Sequence, residues 1–193
     1  MEFKAIEREL RLTLSSKRYE HSVGVAEAAV SLAKIYKVDH EKAYLAGLMH
    51  DCAKELNIAY QLVLAMQAKV GFDVSQIPYP HIYHGPAGSV YAVKRFSVED
   101  EDVLRAVSLH ILGDIGMSAL EKIIFVSDYF EENRKYPCKE EIKAAAFQSL
   151  NKAMALGCDV SINYLISTGK KVHPKMIKIR EYYMEKYKEE KNC

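Results

Sequence analysis

Residues 46–56 read AGLMHDCAKEL and place two polar side chains where a buried helix is expected. The run from Ala43 to Met49 is apolar, Asp39 can cap its start, and we expect the helix to continue to the end of the quoted stretch. His50 and Asp51 interrupt its apolar face. Because an unpaired buried carboxylate is strongly unfavourable, these two side chains must be paired or must bind a ligand.

The rest of the chain predicts helices and no strand alternation. Ser118 and Glu121 form a capping box, Ser97 is expected to begin a further helix, and residues 140–157 and 160–168 are expected to form two separate helices. We therefore expect an all-α fold in which residues 1–193 form a single domain, a bundle of about eight or nine helices.

Composition excludes several classes of partner. The 193 residues include 27 Lys and Arg against 26 Asp and Glu, a formal net charge of +1, so no overall field favours nucleic acid or a membrane surface. No apolar stretch approaches the roughly 18 residues of a membrane span, and the charged N-terminus is unlike a signal peptide. The four cysteines lack a CxxC pair, which disfavours a disulfide framework and a zinc knuckle. We expect a cytoplasmic protein that binds neither nucleic acid nor membrane.

Several imidazoles and carboxylates lie on apolar helix faces or at helix ends. Taken singly, each has an ordinary explanation, such as a satisfied core histidine or a helix cap. Taken together, they are typical of the divalent-metal sites that helical proteins build from side chains on facing helices. The set comprises His21, His50, Asp51, His84, His110 and Asp128.

The spacing of His21, the His50-Asp51 pair and Asp128 resembles the HD-domain superfamily of metal-dependent phosphohydrolases. Four segments resemble, in order, the motifs of the bacterial YqeK family of symmetrical dinucleoside tetraphosphatases. They are residues 18–56, HGPAGSVYA at 84–92, GMSALEKIIFVSDYFEENRKYP at 116–137 and VHPKMIKIREYY at 172–183, within a resemblance that runs from about 17 to 183. It implies an all-helical, iron-binding enzyme that uses a metal-activated water to cleave diadenosine tetraphosphate into two ADP.

The resemblance also implies roles for single residues. The metal ligands would be His21, His50, Asp51 and Asp128, with iron as the expected metal, although Mn, Co, Ni or Zn also suit such donors. The catalytic residues would be Asp51, Lys54, His84 and His110. His84 and His110 would either hold a second metal bridged by Asp51 or contact the scissile phosphate and donate a proton, and we prefer the second role.

Basic side chains are needed for the remaining phosphate charge. Lys54 follows His50 by one helical turn and would share its face, unless it is an exposed, paired lysine. Arg18 lies at a helix start, where backbone N–H groups also favour anions. Arg134 could bind a phosphate bidentately, or it could interact with the dipole at the C-terminal end of a helix. The expected substrate-binding residues are Arg18, Lys54, His84, His110 and Arg134.

Two stretches depart from the family pattern. In HILGDIGM, residues 110–117, Ile111 and Leu112 stand where threonines are expected and Asp114 stands where an arginine is expected. Met176 and Glu181 replace an expected Thr and Asn. Three alternatives therefore stay open: a phosphohydrolase for another nucleotide, an HD-fold di-iron oxygenase and a catalytically weakened nucleotide sensor. The oligomeric state is open too, with a homodimer as one outcome.

Overall fold

The regular structure of the protein is helical wherever it is described. The computed structural model describes residues 3–135 and 138–192, and within them it contains no strand. The prediction of an all-α fold is confirmed, but these residues form ten α-helices rather than eight or nine, besides two short 3₁₀ helices, Val74–Gln76 and Pro80–Ile82. The α-helices are α1 (Phe3–Thr13), α2 (Ser16–Tyr36), α3 (His40–Met49), α4 (Ile58–Ala65), α5 (His84–Phe96), α6 (Glu101–Leu109), α7 (Ala119–Phe130), α8 (Lys139–Ala146), α9 (Leu150–Ser167) and α10 (Pro174–Asn192).

Helix α3 is shorter than the apolar pattern predicts. Its start is the expected one, since the Asp39 carboxylate accepts hydrogen bonds from the N–H groups of Glu41 and Lys42. The helix ends at Met49, and the chain continues in tight turns in which the Lys54 N–H donates to the Asp51 carbonyl at 2.9 Å. The expectation of a helix through residue 56 is therefore wrong.

Helices α2 and α3 touch at their backbones. A Cβ atom added to Gly47 would lie 2.6 Å from Ala26 Cα, closer than non-bonded atoms approach. Glycine at position 47 thus permits the close crossing of the two helices. The crossing brings the end of α3, where His50 begins the turns, against α2, which carries His21.

Ser97 ends a helix instead of starting one. Its φ of 54° is left-handed, and its N–H donates to carbonyls of the last turn of α5. The N-cap of α6 is Asp100, whose carboxylate accepts from the N–H groups of Asp102 and Val103. The expectation for Ser97 was wrong because a serine that can cap a helix start can also adopt the left-handed end of the preceding helix.

The break between α8 and α9 lies earlier than predicted. Ser149 caps α9 by accepting from the Lys152 N–H, and α9 continues without interruption through Gly157. A Cβ atom at Gly157 would lie 3.1 Å from the Phe125 ring and 3.2 Å from the Tyr129 ring. This glycine therefore allows α9 to pack against aromatic side chains of α7 and does not mark a helix end.

Helix α7 runs through the centre of the fold. It packs against α2, α3, α6, α8 and α9, and Ile123, Ile124, Phe125 and Val126 are completely buried. Its start has the predicted capping box, with Ser118 accepting from the Glu121 N–H and Glu121 accepting from the Ser118 N–H. Its C-terminal end carries Asp128 toward α2. Among the described residues, no helix is long and apolar enough to cross a membrane.

Candidate active site

Four predicted metal ligands converge in the interior of the bundle. His21 Nε2 lies 3.0 Å from Asp128 Oδ1 and 3.2 Å from His50 Nε2. Asp51 Oδ2 lies 3.8 Å from His21 Nε2 and 3.6 Å from His50 Nε2. The elements that deliver them are α2, the end of α3, the following turn and α7, so donors far apart in sequence face one point.

Asp51 also faces a second pair of imidazoles. Its other oxygen, Oδ1, lies 3.4 Å from His84 Nε2 and 3.5 Å from His110 Nε2. His84 begins α5 and His110 follows the last residue of α6. Each oxygen of the Asp51 carboxylate therefore faces a different pair of imidazoles. Asp51 with His21 and His50, and Asp51 with His84 and His110, are each compact enough to hold a cation.

The backbone sets the tautomers of two of these imidazoles. His50 Nδ1 donates to the Gly47 carbonyl at 2.6 Å, and His110 Nδ1 donates to the Val107 carbonyl at 2.7 Å. A carbonyl oxygen only accepts, so the proton is on Nδ1 and the Nε2 lone pair points into the site. Both side chains thus present the neutral nitrogen that a metal requires.

Burial and neighbouring charges hold three of the four proposed ligands in metal-binding protonation states. For His21, burial lowers the pKa, but the hydrogen bond to Asp128 and the charge of that carboxylate outweigh it and raise the pKa above its usual value. Burial lowers the pKa of His50 to about 4, although Asp51 opposes the shift. Burial opposes ionisation of Asp51, but nearby positive charge, including that of the Lys54 ammonium, outweighs it and holds the pKa of Asp51 well below its usual value. The pKa of Asp128 is likewise held low, against burial, mainly by Arg134. His50 is therefore neutral and both carboxylates are ionised near pH 7.

All three predicted cationic residues lie at the same site. Arg18 Nη1 donates to Asp51 Oδ2 at 2.5 Å, and Arg134 Nη2 donates to Asp128 Oδ1 at 2.5 Å. Lys54 Nζ lies 2.7 Å from His84 Nε2. Lys54 was expected to reach the site on a helix, but a tight turn delivers it instead.

A carboxylate outside this donor set, that of Glu55, binds the residue that caps the start of α2. Ser15 caps the helix by accepting from the Arg18 N–H, while its own N–H and hydroxyl donate to Glu55 at 2.7 and 2.6 Å. A phosphate role for Arg18 therefore depends on its guanidinium, because the helix start is already engaged.

The donor set fits a divalent cation. Imidazole and carboxylate donors of this kind suit first-row transition metals. His110 Nε2 is buried and has no hydrogen-bond partner among the described residues, although it faces Asp51. A buried acceptor without a partner is unfavourable in a protein interior, and a cation or a substrate proton would supply one. A cavity of about 90 Å³ adjoins this point, lined by His110, Ile111, Asp128, Tyr129, Arg134 and Ser161.

Three of the five departures from the family pattern, at Leu112, Asp114 and Met176, have structural explanations. The Asp114 carboxylate forms an ion pair with Lys175 Nζ at 2.8 Å, and the Asp114 backbone carbonyl accepts a hydrogen bond from the Tyr183 hydroxyl. These contacts fasten the 110–117 stretch to α10. Leu112 and Met176 are buried in the core. Asp114 is therefore neutralised by a lysine and is engaged in joining two segments.

Sequence reasoning missed Glu131. Its Oε1 atom lies 3.1 Å from His21 Nδ1, and the side chain is 2% exposed. The residue follows Asp128 by three positions, the spacing that places side chains on one helix face. That three-residue spacing could have identified Glu131, but the residue lies in the charged segment after α7 and was not singled out.

Comparisons with known proteins agree with the site. The HD-domain family matches residues 18–133. The symmetrical bis(5'-nucleosyl)-tetraphosphatase of Halalkalibacterium halodurans is 36% identical over 83% of this chain and 86% of that protein. The Staphylococcus aureus protein of the same name is 36% identical over 92% of this chain and 94% of its own length. A crystal structure of a Clostridium acetobutylicum protein, described as a predicted HD superfamily hydrolase involved in NAD metabolism, is 38% identical, covers 96% of this chain and 98% of its own, and superposes with a TM-score of 0.89.

The chain belongs to the HD-domain family, a family of metal-dependent hydrolases. The resemblance to the YqeK-like symmetrical tetraphosphatases is confirmed, and the names of the relatives favour the hydrolase over the oxygenase and the sensor. Family membership and the His/Asp cluster together indicate a divalent-metal site.

Proposed function

We propose that this chain hydrolyses diadenosine tetraphosphate, or a related dinucleoside tetraphosphate, symmetrically into two nucleoside diphosphates. The observation that carries the proposal is the Asp51 carboxylate, whose two oxygens face two separate imidazole pairs. Three cationic side chains surround the same donors, with Arg18 on Asp51, Lys54 on His84 and Arg134 on Asp128. The names of the bacterial relatives support the substrate class.

The cation would be held by His21, His50, Asp51 and Asp128. When bound, it would supply positive charge at the phosphate oxygens and would make water more acidic. Iron is the metal we propose, on the basis of the family resemblance. Four protein donors leave coordination positions open on a six-coordinate ion, as a catalytic site requires.

His84 and His110 would act on the scissile phosphate. The Lys54 ammonium lies 2.7 Å from His84 Nε2, and its charge disfavours a second dication there. We therefore assign this pair to contact with the scissile phosphate rather than to a second metal. Since both Nε2 atoms face the site as acceptors, either one would first take up a proton and then donate it to the leaving phosphate. Burial lowers the pKa of Lys54, although Asp51 opposes the shift, and the residue would pair with a phosphate oxygen.

Arg18 and Arg134 would bind the flanking phosphates. Each guanidinium donates to one of the proposed ligand carboxylates, so both are held at the edge of the site. A guanidinium has five donors in a planar fork and can contact a carboxylate and a phosphate oxygen together.

The direct test combines product analysis with metal content. Protein purified without chelator is assayed for bound metal, and the products from diadenosine tetraphosphate are separated by chromatography. ADP as the only product supports symmetrical cleavage, whereas AMP plus ATP contradicts it. Assays with mononucleotides and other dinucleoside polyphosphates test the substrate range.

Asp51→Asn tests the site. We expect turnover to fall by more than about 100-fold and metal affinity to fall with it, because the amide lacks the charge that both donor groups share. Asp159→Asn is the matched control, since Asp159 is paired with Arg180 on α10 outside this site. Full activity in Asp51→Asn would contradict the assignment.

A further inference from the structure

His21 lies between two carboxylates that come from the same end of α7. Asp128 Oδ1 is 3.0 Å from His21 Nε2, and Glu131 Oε1 is 3.1 Å from His21 Nδ1. His50 and His110 donate from Nδ1 to backbone carbonyls, whereas His21 has a side-chain carboxylate in that position. The direction and tautomer of His21 therefore depend on a residue that can be substituted.

Glu131 is itself held at both oxygens. While Oε1 faces His21, Oε2 accepts a hydrogen bond from the Asn133 N–H at 2.7 Å. The residue ends α7, where its own N–H donates to the Ser127 carbonyl. These contacts fix the carboxylate in one orientation, with one donor on each oxygen.

Gly24 makes room for this carboxylate. A Cβ atom at position 24 would lie 2.5 Å from Glu131 Oε2 and 3.3 Å from its carboxyl carbon. Any larger side chain on this turn of α2 would displace the carboxylate from Asn133 and from His21. The glycine and His21 are three residues apart, so both face the end of α7.

We infer that Glu131 is a positioning residue for metal binding, which holds His21 with its proton on Nδ1 and its Nε2 lone pair directed at the metal position, and that Gly24 provides the space for it. A carboxylate on the outer nitrogen orients an imidazole ligand and makes it a stronger donor. The inference rests on the proposed role of His21 as a metal ligand.

Glu131→Gln tests the hydrogen bonds with almost no change in shape. The amide has one oxygen and one NH₂ group, whereas both of its neighbours, His21 Nδ1–H and the Asn133 N–H, donate. Either one contact is lost, or His21 moves its proton from Nδ1 to Nε2 and no longer presents a lone pair to the metal position. We expect Co²⁺ affinity, measured by visible absorption on chelator-stripped protein, to fall about 10- to 100-fold.

Two further variants separate positioning from charge and from folding. Glu132→Gln removes the same charge at the exposed neighbouring residue and should bind Co²⁺ as the unsubstituted protein does. Gly24→Ala leaves every proposed ligand intact and should still weaken Co²⁺ binding.

Both Glu131→Gln and Gly24→Ala should retain the circular dichroism of the metal-free parent. The ¹⁵N spectrum of metal-free Glu131→Gln should show a changed proton distribution on His21.

The outcomes are distinct. Unchanged Co²⁺ affinity in Glu131→Gln and Gly24→Ala would overturn the inference, as would an equal loss in Glu132→Gln. If the parent protein binds Co²⁺ and the two variants weaken that binding, the inference holds even when diadenosine tetraphosphate is not cleaved. A parent protein that binds no Co²⁺ would contradict the inference and the proposed function together.

Discussion

At the scale of single residues, the site is a balance between carboxylates and cations. Asp51 and Asp128 are each paired with an arginine, at 2.5 Å in both cases. Because both carboxylates stay ionised and His50 stays neutral, they need no proton loss before a cation binds. The same arginines lie where phosphate charge would need neutralising.

Arg134→Gln should therefore impair substrate use without weakening the metal. A charge-assisted hydrogen bond contributes about 1.5–3 kcal/mol, so kcat/KM for diadenosine tetraphosphate should fall roughly 10- to 100-fold. Co²⁺ affinity should not fall, because a cation has been removed from beside Asp128. Lys135→Gln, the same loss of charge at an exposed neighbour, should have little effect. Equal kinetics in the two variants would refute a phosphate contact.

At the scale of elements, the crossing of α2 and α3 determines how the ligands meet. The crossing depends on Gly47, where the two backbones leave no space for a Cβ atom. Gly24 lies on the same α2 helix, but a Cβ atom there would meet the Glu131 side chain and not a backbone. The two glycines thus have different consequences for stability.

Gly47→Ala should lower the free energy of unfolding of the metal-free protein by about 1–3 kcal/mol, because the two helices must separate. Urea unfolding followed by circular dichroism measures this change. Gly24→Ala is the comparison and should lower the free energy of unfolding less than Gly47→Ala does, because a side chain can move aside where a backbone cannot and because alanine is the better helix former. A Gly47→Ala protein as stable as its parent would show that the crossing tolerates a methyl group.

At the scale of the whole molecule, donors from two helices and from the turn after α3 meet at the proposed cation position. His21 is on α2 and Asp128 on α7, while His50 and Asp51 follow α3. A bound cation would therefore connect three helices of the bundle. Because the unfolded chain does not assemble these donors, metal binding should stabilise the native state.

Metal removal should lower the melting temperature. With Co²⁺ at 100 times its dissociation constant, the native state gains about 2.7 kcal/mol. For a chain of this length, that gain corresponds to roughly 5–10 °C between loaded and chelator-stripped protein in calorimetry. Asp51→Asn should show almost none of this difference. If the parent protein melts at the same temperature with and without Co²⁺, the proposed donors do not bind it.

The sequence by itself determined the helical class and the proposed donors. Apolar spacing predicts helices without reference to tertiary contacts, and the polar residues that interrupt it, such as His50 and Asp51, are visible as exceptions. The ends of the helices were harder to predict from the sequence. Met49, Ser97 and Ser149 each lie where a helix could either continue or stop, and packing between helices decided the outcome.

Only the tertiary structure decided which oxygen of Asp51 faces which imidazoles, that Asp114 is neutralised by Lys175, and that Glu131 supports His21. His21 is separated from Asp51 by 30 residues in sequence and from Glu131 by 110. Local propensity contains no information about such distances. They follow from the crossing of α2 with α3 and from the central path of α7, which bring the opening stretch, AGLMHDCAKEL, against donors from the rest of the chain.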